Sequence, residues 1–262
     1  MSNLGIAVIT GASSGIGAAF ADRLSRRGHD LLLVARRGDR LATLAERLRT
    51  ETGVGVETLV ADLAQADDLA RVEARLVDSP ISVLVNNAGV GALGATSTVP
   101  ADVQEALIRI NIVALTRLSL AAIASFRAAD HGTLINIASV MALMPSAGAG
   151  AYGGSKAYVL SFTRSLRLEL EGTGIGVHAV LPGPVRTEFF SSQGLSDAVF
   201  PDTSYITPEA LADAALAGAA LGDEVITPTL LSADIWGELE SARVAFMRNV
   251  MGGEIAARYR SG

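Results

Sequence analysis

The segment AYGGSKAY, residues 151–158, sets a phenol and an ammonium four residues apart. In a helix, positions i and i+4 share a face, so Tyr152 and Lys156 are neighbours. A free phenol ionises near pH ~10, and an adjacent cation favours the phenolate, drawing that value toward working pH. The pair therefore reads as an acid–base device in which Tyr152 moves a proton and Lys156 tunes it. The plainer reading is an ordinary i,i+4 surface contact. Val159, Phe162, Leu166 and Leu170 give the helix an apolar face, yet Gly153 and Gly154 sit in its first turns. Each glycine costs roughly 1 kcal/mol relative to Ala. Room for close approach of other groups to Tyr152 is one reason to omit side chains there.

A second group suits anions. ITGASSGIG (residues 9–17) follows an apolar run and opens a helical pattern, with Gly11, Gly15 and Gly17 around Ser13, Ser14 and Ile16. Glycines at such a turn let the backbone approach a pyrophosphate, and the helix N-terminus adds free N–H groups and a positive dipole end. About 20 residues on, a fold that takes NAD often places an acid for the ribose 2′-hydroxyl. Here Arg36 and Arg37 stand at that point. Guanidinium grips a phosphate bidentately, so the pattern favours NADP(H) over NAD(H). Further on, Asp62 and Leu63 sit where an adenine edge could be read, with helix capping an equal reading for Asp62.

These groups need a frame. Apolar runs at 5–10, 30–35, 56–61, 82–89, 133–139, 176–182 and 224–228 suit strands buried on both faces. Helical patterns at 15–27, 38–52, 66–78, 102–129 and 152–172 alternate with them. The alternation predicts an α/β, Rossmann-type doubly wound parallel sheet with helices on both faces, as one domain over residues 1–262. The rhythm breaks at 187–208, which reads as a loop or lid, and helix resumes from about 229. Of 262 residues, 50% are hydrophobic, enough for a large core. With 21 basic and 27 acidic residues the net charge is −6, which argues against a nucleic-acid partner. Without cysteine there is no thiolate chemistry, and three scattered histidines do not suggest a metal site. The N-terminus lacks a basic leader, and no run of about 18 apolar residues suggests a membrane span. The expected location is cytoplasmic.

In chain order, T-G-x-x-x-G-x-G (10–17), N-N-A-G (86–89), Asn111, Ser139, Y-x-x-x-K (152–156) and P-G-x-V-x-T (182–187) together resemble the short-chain dehydrogenase/reductase family. The likeness spans residues 5 to about 190. It implies a nicotinamide cofactor, interconversion of a small-molecule carbonyl and alcohol, and Asn111, Ser139, Tyr152 and Lys156 as the catalytic set. In that reading Ser139 orients the substrate oxygen, Lys156 also holds the nicotinamide ribose, and Asn111 supports a water in a proton relay. Asn87, Ala88 and Gly89 form a cofactor edge, while Asn86 has the alternative role of pinning strands. Pro182, Gly183, Val185 and Thr187 close the nicotinamide end.

Val140, Met141, Met144, Ala147, Phe189 and Phe190 are candidate pocket walls and suggest an apolar substrate. Many relatives end shortly after the last strand, whereas this chain continues. Trp236, Leu239, Val244 and Met247 then either cover a pocket or make a subunit contact in a homodimer or homotetramer. The rival functional class is a dinucleotide-binding sensor or scaffold without turnover, which has no need of the full Tyr–Lys–Ser–Asn set.

Overall fold

The computed structural model describes residues 4–196 and 199–260; positions 197–198 of the expected lid lie outside the described residues. The chain divides into two compact units, Met1–Pro228 and Thr229–Gly262. In the first, the strands β1 (Ile6–Thr10), β2 (Asp30–Ala35), β3 (Val56–Val60), β4 (Ile81–Asn86), β5 (Gly132–Ile137), β6 (Ile175–Val180) and β7 (Val225–Ile226) form one sheet in the order β3-β2-β1-β4-β5-β6-β7. Every neighbouring pair is parallel. All seven apolar runs have thus become strands, because a parallel sheet covered on both faces buries continuous apolar sequence.

Helices α1 (Gly15–Arg26), α2 (Gly38–Thr52) and α3 (Ala66–Val77) follow the first three strands. After β4 come α4 (Ala101–Ile108) and α5 (Leu115–Ala129), after β5 comes α6 (Gly150–Glu169), and before β7 comes α7 (Pro208–Leu221). One core contains Phe20, Leu24, Leu41, Leu48 and Leu211; the other contains Leu69, Val72, Leu118, Phe126 and Leu166. The strand order reverses direction between β1 and β4, which opens a crevice at the strands' C-terminal ends.

Two features depart from the sequence reading. The helix expected over 102–129 is interrupted by a π-turn, Arg109–Ala114, that contains Asn111. Residues 101–129 also reach the length and apolarity of a membrane span, with a mean hydropathy of 1.7 in one window. Half of that window is buried, and Leu115, Leu118, Ala122, Ile123 and Phe126 face the core, as in the central helix of a doubly wound fold.

The second unit contains α8 (Ala233–Val250), within the segment read as helical. None of its residues is buried.

The glycines of α6 are not required by packing within the protein. A Cβ at Gly154 would meet nothing within 4 Å, and one at Gly153 would meet only the Met141 carbonyl oxygen, at an ordinary 3.4 Å. Gly154→Ala should therefore raise stability by about 1 kcal/mol in urea denaturation; an unchanged or lower midpoint would show that Gly154 has a role the helix does not reveal.

Candidate active site

Three backbone exits converge at the crevice: the ends of β1, β4 and β5. The first two are stitched together. The Asn87 side-chain amide donates to the carbonyls of Thr10 (2.9 Å) and Gly11 (3.3 Å). The Thr10 hydroxyl oxygen accepts from the backbone N–H groups of Asn87 and Ala88, both at 3.0 Å. Asn86 pins β4 to its neighbours, donating to Asn136 Oδ1 (3.0 Å) and Ser119 Oγ (2.9 Å).

The cradle follows from its glycines. Gly11 and Gly15 have φ of +67° and +53°, which L side chains disfavour. A Cβ at Gly17 would lie 2.4 Å from the Gly11 carbonyl oxygen, so only glycine lets α1 start this close to β1. At the start of α1, the N-cap Ser14 makes no side-chain capping bond and the first turn holds no acid. Its N–H groups and positive dipole end suit an anion.

At the end of β2 the arginines separate in role. Arg37 donates to Ser13 Oγ (3.1 Å) and Ser14 Oγ (2.5 Å), whereas Arg36 is exposed and donates to neither. Arg40, one helical turn on, joins Arg37 on a carboxylate: both grip Glu188, at 2.8 and 2.7 Å. The sequence reading missed Arg40 and Glu188. The i,i+3 spacing of Arg37 and Arg40 at the start of α2 was visible; their partner, some 150 residues away in sequence, was not. A donor set that holds a carboxylate beside an uncapped helix start fits a phosphorylated dinucleotide. Asp62 does not cap α3; its Oδ1 accepts from Ala64 N (3.1 Å), and Leu63 is buried core.

The catalytic candidates meet at the ends of β5 and α6. The Ser139 side chain neighbours the Tyr152 hydroxyl. Ser139 follows β5 in extended backbone, and its Oγ also accepts from Met141 N at 3.2 Å, which fixes it at the start of a 3-10 turn. Lys156 is buried; its Nζ donates to the Ile137 carbonyl (2.8 Å) and lies 5.7 Å from the Tyr152 ring centroid. Asn111 accepts from Val90 N (2.9 Å) and donates to the Val90 carbonyl (3.0 Å) and Ser155 Oγ (3.1 Å). The Ser155 hydroxyl donates in turn to the Tyr152 carbonyl, at 2.7 Å. Ser155, unremarked between Tyr152 and Lys156 in the sequence, thus ties the π-turn to the Tyr152 backbone. A Cβ on Gly89 would come within 3.3 Å of Asn111 Oδ1 and 3.6 Å of Lys156 Nζ, so this glycine borders both groups.

Electrostatics at Tyr152 run opposite to the sequence expectation. Burial pushes the phenol up to about 12, against a smaller lowering by Ser139. Burial alone brings the Lys156 ammonium down to about 8. Desolvation dominates at both groups.

The nicotinamide-end candidates form one loop base. Val185 and Ile206 make a parallel bridge, extended by Arg186 N to the Ile206 carbonyl (3.0 Å) and Ile206 N to the Pro184 carbonyl (3.2 Å). Pro182 is buried and accepts from Val140 N, and Gly183 is half-buried. Thr187 packs on Gly15, where a Cβ would come 2.9 Å from its methyl group. Beyond it the Phe189 ring lies 5.4 Å from that of Tyr152, and Phe190 and Phe200 continue the aromatic series. A cleft of about 790 Å³ opens along the outer side of the cradle, lined in part by Ser14, Gly15, Thr187 and Glu188; Tyr152 and Lys156 are not among its walls.

The family model for short chain dehydrogenases matches residues 5–197. A short-chain dehydrogenase from Sphingobium yanoikuyae, solved in complex with NADPH, is 44% identical with a TM-score of 0.92, covering 98% of this chain and 100% of that one. The bulky-bulky ketone specific alcohol dehydrogenase from Comamonas testosteroni is 41% identical with a TM-score of 0.90, covering 99% and 100%. Coverage this complete includes the C-terminal unit. Sulfoacetaldehyde reductase 2 of Chromohalobacter salexigens is 36% identical over 79% of this chain and 85% of its own. The chain belongs to the short-chain dehydrogenase/reductase family of oxidoreductases.

Lys156 makes stability depend on pH. Its folded value, about 8, lies below the ordinary 10.5. Below pH 8 both folded and unfolded states carry the ammonium, and the folded state bears its desolvation. Between about 8 and 10.5 the folded state has released the proton and the unfolded state has not, so stability rises with pH. Urea denaturation at pH 7.5 and 9.5 should therefore show wild type gaining on Lys156→Met at the higher pH. Parallel behaviour of the two proteins would mean that Lys156 keeps its ordinary ionisation.

Proposed function

We propose that the protein is an NADP(H)-dependent oxidoreductase that interconverts an apolar carbonyl compound and its secondary alcohol, with Tyr152 as the acid/base. The observation that carries this reading is the Tyr152 hydroxyl placed beside the Ser139 side chain and the buried Lys156. NADP(H), when bound, supplies or takes the hydride. Everything else falls to the chain. Ser139 holds the substrate oxygen next to the phenol, and Tyr152 gives that oxygen a proton in reduction or takes one in oxidation. Lys156 keeps positive charge where phenolate would form. Asn111, through Ser155, holds the Tyr152 turn of α6 in place.

Residues that would hold the cofactor run along the crevice: Gly11 through Gly17, Arg37 with Arg40, the loop of Asp62 and Leu63, Asn87–Gly89, and Pro182–Thr187. The preference for the phosphorylated dinucleotide rests on the two arginines and on the likeness to the NADPH-bound Sphingobium dehydrogenase. The aromatic series from Tyr152 through Phe189 and Phe190 supports an apolar substrate, as does the likeness to an enzyme specific for bulky ketones. Residues 1–228 carry the chemistry in this reading, with 187–208 as the substrate loop and the segment from about 229 as an extension. Assembly into a homo-oligomer belongs to the same proposal and is supported by exposed apolar side chains, among them Ile108, Val113 and Leu120.

Tyr152→Phe tests the reading against a sensor without turnover. Ketone-dependent NADPH oxidation, followed by absorbance, should fall by about a hundredfold or more, while NADPH fluorescence titration gives nearly the wild-type affinity. An unaffected rate removes Tyr152 from the chemistry. Arg37→Asp should shift relative affinity from NADPH toward NADH by about tenfold; an unchanged ratio would place the phosphate elsewhere.

A further inference from the structure

Among the described residues, Glu188 is the one carboxylate placed on the arginine pair. Its Oε2 accepts from Arg37 Nη1 (2.7 Å) and its two oxygens accept from Arg40 Nη1 (2.8 and 3.0 Å). Arg37 meanwhile holds the two cradle serines with its Nε and Nη2. The arginines hold the Glu188 carboxyl below the usual carboxylate range, so it is an anion at neutral pH. Two guanidiniums against one carboxylate leave a single positive charge. A phosphate dianion brought to the same donors faces that carboxylate at close range, and like charges that near repel.

The neighbours of Glu188 give this competition a reach. Thr187 packs on Gly15 of the cradle, and Phe189 stacks obliquely on the Tyr152 ring at 5.4 Å. Three consecutive residues therefore touch the phosphate cradle, the arginine pair and the catalytic tyrosine. The segment is anchored behind Thr187 by the Val185–Ile206 bridge; ahead of it the ties are local, Ser192 N to the Glu188 carbonyl and Gln193 Nε2 to the Phe189 carbonyl, apart from Gln193 Oε1, which accepts from Leu93 N. All three ion-pair partners are about half exposed, which keeps the clasp weak enough to exchange.

We propose that Glu188 is a specificity-determining residue: it occupies the arginine pair as an internal stand-in for the 2′-phosphate, is displaced by that phosphate, and so releases the Phe189 side of the substrate pocket when the phosphorylated cofactor binds. The proposal rests on the NADP(H) reading. It makes Glu188 a selective tax on NADPH, because NADH brings no phosphate to the pair and leaves the carboxylate in place.

The test is fluorescence titration of the whole chain with NADPH and with NADH, for wild type and Glu188→Gln, paired with limited chymotrypsin digestion. Glu188→Gln should bind NADPH about fivefold more tightly and NADH within twofold of wild type. Adenosine 2′-phosphate, used alone as probe, should speed cleavage at Phe189, Phe190 or Phe200 in wild type, whereas Glu188→Gln should be cleaved at the faster rate with or without it. Wild type that prefers NADPH, together with a variant of unchanged NADPH affinity and unchanged digestion, overturns the role of Glu188 and leaves the cofactor reading standing. Absence of NADPH preference in both wild type and Glu188→Gln overturns both.

Discussion

The hydrogen bond from Lys156 to the Ile137 carbonyl is the contact on which the β5–α6 end of the crevice turns. A buried ammonium is costly to desolvate, and only well-placed partners offset that cost. Ile137 ends β5, so the one fixed acceptor lies at the rim of the sheet, where the strand hands the chain on to Ser139. The ammonium has three donors and the carbonyl takes one. The space bordered by Gly89, Asn111 and Tyr152 lies next to the other two. A fold built for stability alone would place an apolar side chain here. Keeping a lysine is the local conflict expected at a functional site.

Rigid and exchangeable electrostatics divide the crevice between them. At the β5–α6 end the polar groups are buried and tied to backbone: Asn111 by both its amide atoms to Val90, Lys156 to Ile137, Ser155 to Tyr152. Such contacts do not exchange with water and hold geometry within tenths of an ångström. At the β2 end the groups are arginines on the surface, joined by ion pairs that are individually weak. One end is suited to fixing a proton donor, the other to admitting and releasing a charged ligand. Residues 185–190 join them, starting at the isolated Val185–Ile206 bridge and crossing from cradle to tyrosine in a few residues.

Most of the frame was legible because it is written in local patterns. Seven apolar runs became seven parallel strands, and the glycines at 11, 15 and 17 became a cradle whose spacing the backbone demands. The Tyr152–Lys156 spacing likewise placed both side chains on one turn. What stayed hidden depends on tertiary structure. The π-turn at Asn111 adds a residue to a helical turn, and apolar periodicity over 102–129 reads the same with or without it. Glu188 meets Arg37 only because loop and sheet fold back on each other. The direction of the Tyr152 shift was missed for a related reason: spacing reveals a neighbouring charge, whereas the amount of water removed from a phenol is set by everything packed around it.

That direction carries its own consequence for the proposed chemistry. A phenol pushed up to about 12 is protonated throughout the physiological range. Tyr152 therefore stands ready to give a proton, the state that carbonyl reduction requires, whereas oxidation of an alcohol must first take the proton away. Lys156, brought down to about 8, is still mostly charged at neutral pH and becomes mostly neutral above that value. Phenolate formed at Tyr152 would lose its neighbouring cation in the same alkaline range in which base chemistry becomes accessible. The two burial effects act together: they keep the pair as neutral phenol and ammonium near pH 7, the protonation state in which a ketone oxygen held by Ser139 finds both a proton and a positive charge.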